Sequence, residues 1–299
     1  MTRLVSTNVF PRNLDFVLEV SSPASGVDAR LFISLALLPE SIMKGRQADH
    51  RIGYFATPYT MLGVQDFSNA TTHIAAGQVD RKLNLINRWR LEKDPTCTAA
   101  LCEPIKPILF HVDPSVPAKW RSYVKIGIEL WQPAFEAIGF KNTPRAVLPT
   151  DPDFPTDYHP GDIRYASISF SVSRDMTYSV GPSVADPRSG EILDADISFA
   201  HEWVAAFAGE VTYEEPRASY AKGASCDASK AKAASCGASK SKEDERLAHA
   251  REVDGPMLRA LFTSAGGEVS VPVEVIGRGL AGVTVHEVGH TLGLRYCRD

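Results

Sequence analysis

The 299-residue chain is long enough for one large or two moderate domains, and its 44% hydrophobic and 23% charged residues are ordinary globular usage. A formal charge of −4 gives no electrostatic case for nucleic acid or an anionic membrane as partner. Five unevenly spread cysteines do not make a disulfide framework, and no run of about 18 apolar residues is present to span a membrane.

Taken in order, the first residues lack the apolar core of a signal peptide. Residues 5–38 are strand-like: Leu14, Phe16, Leu18 and Val20 alternate with Asp15, Val17 and Glu19, a turn follows at 21–26, and a second apolar run at 29–38 completes a hairpin. Residues 51–55 read as a further strand or turn. Over 79–93, Leu83, Leu85, Ile86, Trp89 and Leu91 predict a short charged helix with an apolar stripe. This part holds no obvious catalytic cluster, so a structural or prodomain-like role is expected of it. Cys97 and Cys102 suit either a short bridged loop in an oxidising compartment or two free thiols. The boundary falls near residue 106, giving a β-rich region at 1–106 with a short connecting helix and a second domain at 107–299.

The second part opens with a strand at 104–112. Trp120, Val124, Ile128, Trp131, Phe135 and Ile138 then recur every three or four residues and predict one long helix, kinked at Pro133 and ended by Gly139. Its aromatic residues are core rather than a ligand box. Strands follow at 164–172 and 192–199, with a turn set by Pro187 and Gly190 between them. His201 is read as a polar group at a strand end. From 218 to 243 the composition shifts: Ala224-Ser-Cys-Asp-Ala-Ser-Lys230 is nearly repeated as Ala234-Ser-Cys-Gly-Ala-Ser-Lys240. So few large apolar groups cannot offset ordering entropy, and a low-complexity insertion is expected. The spacing of Cys226 and Cys236 matches no zinc-finger pattern.

The chemistry concentrates at Val285-His286-Glu287-Val-Gly-His290-Thr-Leu-Gly293. Four residues make a little over one helical turn, so His286 and His290 project from one face and can share a Zn²⁺ ion. Glu287, beside the first ligand, is placed to take the proton of an attacking water. Gly293 can adopt the left-handed conformation that ends a helix. H-E-x-x-H-x-x-G begins the metzincin signature, whose third histidine falls here on Tyr296, with Cys297 one residue out of register. No methionine follows to form a Met-turn.

Several strings in one order, among them Phe10-Pro-Arg-Asn13, Arg51-Ile-Gly-Tyr-Phe55, Asn87-Arg-Trp-Arg90, Trp131-Gln-Pro-Ala-Phe135, Gly181-Pro-Ser183 and Asp186-Pro-Arg-Ser-Gly190, accompany this motif. Together they make the chain resemble the EcxA-like zinc-dependent metzincin peptidases, known mostly from bacteria. The resemblance implies an α+β fold: a zincin catalytic domain with a twisted mixed sheet and two long helices, after a β-rich N-terminal region. It implies hydrolysis of a peptide or protein substrate, with Zn²⁺ as cofactor, His286 and His290 as ligands and Glu287 as catalytic base, in an extracellular or periplasmic setting. In zincins an edge strand pairs with the extended substrate, and 191–198 is the expected strand here. Relative to that family the chain reads as truncated after the motif. The competing expectation is therefore an impaired member that only binds peptide or zinc.

Overall fold

The computed structural model describes residues 2–22, 27–49, 51–61, 81–172, 179–208 and 271–295. The insertion read at 218–243, Tyr296 and Cys297 lie outside them. The fold is mixed α+β, with several sheets and a few helices. Contacts group it into two units. One comprises 1–171, 179–199 and 281–297, and the other 172–178, 200–280 and 298–299.

In the first unit, strands β1 (Thr2–Val9), β2 (Asn13–Ser22) and β3 (Val27–Ala36) form an antiparallel meander. The alternation in the sequence sets its register, so Leu18 faces Leu31 and Leu4 while Asp15 faces Ser34 and Asn8. The polar positions are tied down: Asn13 Nδ2 donates to Asp15 Oδ1 at 2.8 Å and to the Gly161 carbonyl at 2.7 Å. Strands β4 (Ala56–Met61) and β5 (Arg81–Ile86) make a second antiparallel pair.

The helix expected over 79–93 is thus corrected: residues 81–86 are strand. Leu83 and Leu85 alternate with Lys82 and Asn84, a period of two that the apolar stripe concealed. Beyond β5 the backbone stays extended, and Arg88 bridges in parallel to Glu191.

A five-stranded sheet carries the core in the order β7-β6-β8-β10-β9. Its members are β6 (Leu109–Val112), β7 (Arg145–Val147), β8 (Ser167–Ser171), β9 (Ser183–Ala185) and β10 (Ile192–Ala200). Strand β6 runs parallel to β7 and β8, while β9 and β10 are antiparallel. Pro104 and Pro107 cannot donate to a ladder, so the strand expected from 104 begins only at 109. Phe110, Val112, Ile168, Ile197 and Phe199 are all fully buried along this sheet.

Helix α1 (Ala118–Glu129) buries Trp120, Val124 and Ile128, as the spacing predicts. The single kinked helix is corrected to two: Pro133 sits in the first turn of a separate short helix, α2 (Gln132–Glu136), where its missing N–H is no loss. Ile138, beyond α2, is exposed rather than core. The second unit contains α3 (Glu202–Phe207), preceded by exposed His201, and the first part of α4 (Val273–Thr291). There Gly279 lies against the Phe207 ring, leaving no room for a Cβ. No helix among the described residues is long and apolar enough to cross a membrane.

Buried acids give the sheet a pH dependence. Asp194 and Asp196 share one face of β10, and Ser167 Oγ donates to Asp196 Oδ1 at 2.6 Å. Burial pushes both carboxyls up, and for Asp194 the charge of Asp196 adds to it, to about 7 for Asp194 and about 6 for Asp196. The folded chain therefore holds protons that the unfolded chain releases near pH 4. The stability this confers is greatest at acid pH and falls as pH rises from about 4 to 7. Asp194→Asn should raise the melting temperature at pH 8 by roughly 2–8 °C, an advantage that shrinks towards pH 5. Buried His111 is held below its ordinary value and acts in the opposite direction, but equally in both proteins. Melting curves with the same difference at pH 5 and pH 8 would contradict this account.

Candidate metal centre

Helix α4 carries the candidate site in the part that belongs to the first unit. Thr284, the adjacent Glu287 and Val288, and Thr291 are buried along one side of it, each step between successive turns being three or four residues. On that side α1 approaches closely. A Cβ added at Gly127 would stand 2.5 Å from Thr284 Cβ and 2.7 Å from the Ala281 carbonyl oxygen. Trp131 follows: its indole Nε1–H donates to the Val285 carbonyl at 3.0 Å, and its ring covers Gly289. Trp89 holds the end of the helix through a 2.9 Å bond from Nε1–H to the Thr291 carbonyl.

His286 and His290 are half-buried and turn towards each other. Their Nε2 atoms are 3.1 Å apart, with the ring planes at 85°. At that distance one Nε2 donates to the other, and the separation is close to the roughly 3.3–3.4 Å of two imidazole nitrogens on one tetrahedral ion. His290 Nδ1 lies 2.8 Å from the Leu294 carbonyl. A carbonyl can only accept, so Nδ1 carries the proton and the Nε2 lone pair faces His286, the tautomer that a metal requires. The Phe55 ring meets His290 edge-on at 5.8 Å between centroids.

The loop that supplies Leu294 is fixed by a Schellman cap. Gly293 N–H donates to His290 O at 2.9 Å and Leu294 N–H to Gly289 O at 3.0 Å, with Gly293 at φ 99°. The N-terminal part of the chain then closes over it. Phe55 N–H donates to Gly293 O at 2.7 Å and Arg295 N–H to Gly53 O at 2.8 Å. The carbonyl of Asn87 occupies the place that a side chain at 293 would need.

Glu287, buried at 6% exposure, lies on the turn between the two histidines. Gly181 packs on it: a Cβ there would be 2.7 Å from the Glu287 carbonyl oxygen and 3.3 Å from Oε2. Gly181 leads into β9, the outer strand of the sheet. The expectation that 191–198 is the open edge is therefore corrected, because β10 lies between β8 and β9 and the edge belongs to β9. A short turn had hidden this strand, since Asp186 and Gly190 reverse the chain within five residues.

The four-residue spacing brings the His286 and His290 rings together, while Glu287 packs on Gly181. Among the described residues, no group of three His, Cys, Asp or Glu side chains gathers as a metal site. The supporting residues went unread in the sequence. Leu294 acts through its backbone, and Phe55, Asn87, Trp89 and Gly181 are distant in sequence, so none carries a local signal.

Residues 2–94 match a family model described as a domain of unknown function, DUF5117. No curated protein and no solved structure matches the chain. The matched stretch contains Phe55, Asn87 and Trp89, the residues that enclose the end of the motif helix.

Proposed function

We propose that the chain is a zinc-dependent metallopeptidase of the metzincin type, similar to the EcxA-like enzymes, acting on peptide or protein substrates. The observation that carries this reading is the facing His286–His290 pair, with His290 locked in the metal-binding tautomer by Leu294. When bound, zinc polarises the scissile carbonyl and acidifies the attacking water. His286 and His290 are the ligands on the described residues. Glu287 takes the proton of the water and returns it to the leaving amine. Burial against Gly181 holds the carboxylate still, and the nearby edge strand β9 offers backbone groups to an extended substrate. The Cys97–Cys102 disulfide suits an extracellular or periplasmic location.

A second reading has one observation in its favour, namely that only two of the three usual ligands lie among the described residues. In that case the chain is an impaired relative that binds peptide or zinc without cleaving. Zinc loading, desalting and metal analysis separate the two. Catalysis predicts about one zinc retained per chain and its loss in His290→Ala, whereas an unvaried protein that gives up its zinc on desalting points to the second reading.

A further inference from the structure

Beside the end of α4 lies a cavity of about 360 Å³, within the range of small-molecule sites. Its walls are apolar and aromatic, with Trp89, Trp131, Phe135, Phe140, Leu292 and Leu294 among them. Two arginines, Arg46 and Arg88, also line it. Glu191, whose backbone pairs with that of Arg88, has its carboxylate taken by Arg90, which grips both of its oxygens at 3.0 and 2.6 Å. Neither Arg46 nor Arg88 pairs with a described carboxylate. Arg88 donates from Nη2 to the Lys44 carbonyl at 2.9 Å, while its Nε is out of contact with solvent and has no acceptor.

This combination is costly. Arg88 is half-buried near exposed Arg46, and its Nε is shut off from water with its donor unused. Burial and then the charge of Arg46 work against protonation of Arg88, and the Glu191 carboxylate, already gripped by Arg90, offsets them only in part. A group that accepts from Nε and neutralises the pair relieves both penalties, and a planar carboxylate matches the guanidinium fork. The walls set the rest of the ligand. Tryptophan and phenylalanine rings gain nothing from a hydrated polyanion, but they bury an alkyl or aryl tail well.

We propose that this cavity binds a small amphiphilic carboxylate, its head on Arg88 and Arg46 and its tail against Trp89 and Trp131. The proposal does not rest on the zinc reading, and its test runs in the presence of a chelator. Tryptophan fluorescence of the full chain is titrated with decanoate, and with decanol as the neutral match in tail length. Decanoate should give a saturable change, and decanol should bind at least tenfold more weakly. Arg88→Met, which keeps the aliphatic stem, should weaken decanoate about tenfold and leave decanol unchanged. Arg46→Met should act in the same direction, and circular dichroism shows that each variant is folded. If Arg88→Met does not fold, Arg46→Met decides. Equal binding of acid and alcohol, unchanged affinity in the folded variants, or no saturable signal would overturn the proposal.

Discussion

On the proposed zinc-peptidase reading, Glu287→Gln should retain zinc and lose peptide hydrolysis, with kcat/KM falling by about 10²–10⁴. The substitution keeps the shape of a side chain that is 6% exposed and packed on Gly181, so the helix and its two imidazoles stay where they are. The amide cannot take a proton from water or deliver one to an amine. Metal content and turnover are measured on the same sample, which separates loss of the base from loss of the ion. A variant with unchanged kcat/KM would remove Glu287 from the mechanism. Loss of zinc together with activity would instead assign it to holding the site.

The second large effect is expected at Gly293. At φ 99° any L side chain is strained by roughly 1–2 kcal/mol. At this position the added Cβ also overlaps the Asn87 carbonyl oxygen. Gly293→Ala should cost about 3 kcal/mol, or roughly 6–12 °C in melting temperature. Because the Schellman cap places the Leu294 carbonyl on His290, zinc affinity should fall as well, by about 10–100-fold. Thermal melts and a competitive zinc titration measure the two effects. An alanine variant with wild-type melting would mean that the loop yields without strain. Reduced stability with intact zinc affinity would show that His290 does not need the carbonyl.

The parts of this fold that could be read from sequence are those whose cause is local. Leu14, Phe16, Leu18 and Val20 predict β2 because side chains alternate across a strand, and the spacing of Trp120, Val124 and Ile128 predicts α1. The four-residue interval from His286 to His290 predicts that the two rings meet. Where the cause is distant, the reading fails. Leu83, Leu85 and Leu91 fit a helical stripe as well as a strand, and pairing of β5 with β4 decides in favour of strand. Pro133 announces an interruption, but a proline fits the first turn of a new helix as well as a kink in an old one, and the sequence does not distinguish them. The sequence points to residues 191–198 as the edge because the three residues of β9 are too few to show a period. Nothing near the motif points to Leu294 as the acceptor for His290, because a backbone carbonyl is common to every residue type.

The pairing of residues 53–55 with 293–295 has a bearing on how the protein is made. A ribosome releases the Arg51-Ile-Gly-Tyr-Phe55 segment long before the histidines exist, so the clasp between these two stretches cannot close until synthesis has passed Arg295. Until then the Gly293 end of the helix lacks the backbone partners from residues 53 and 55 that brace it.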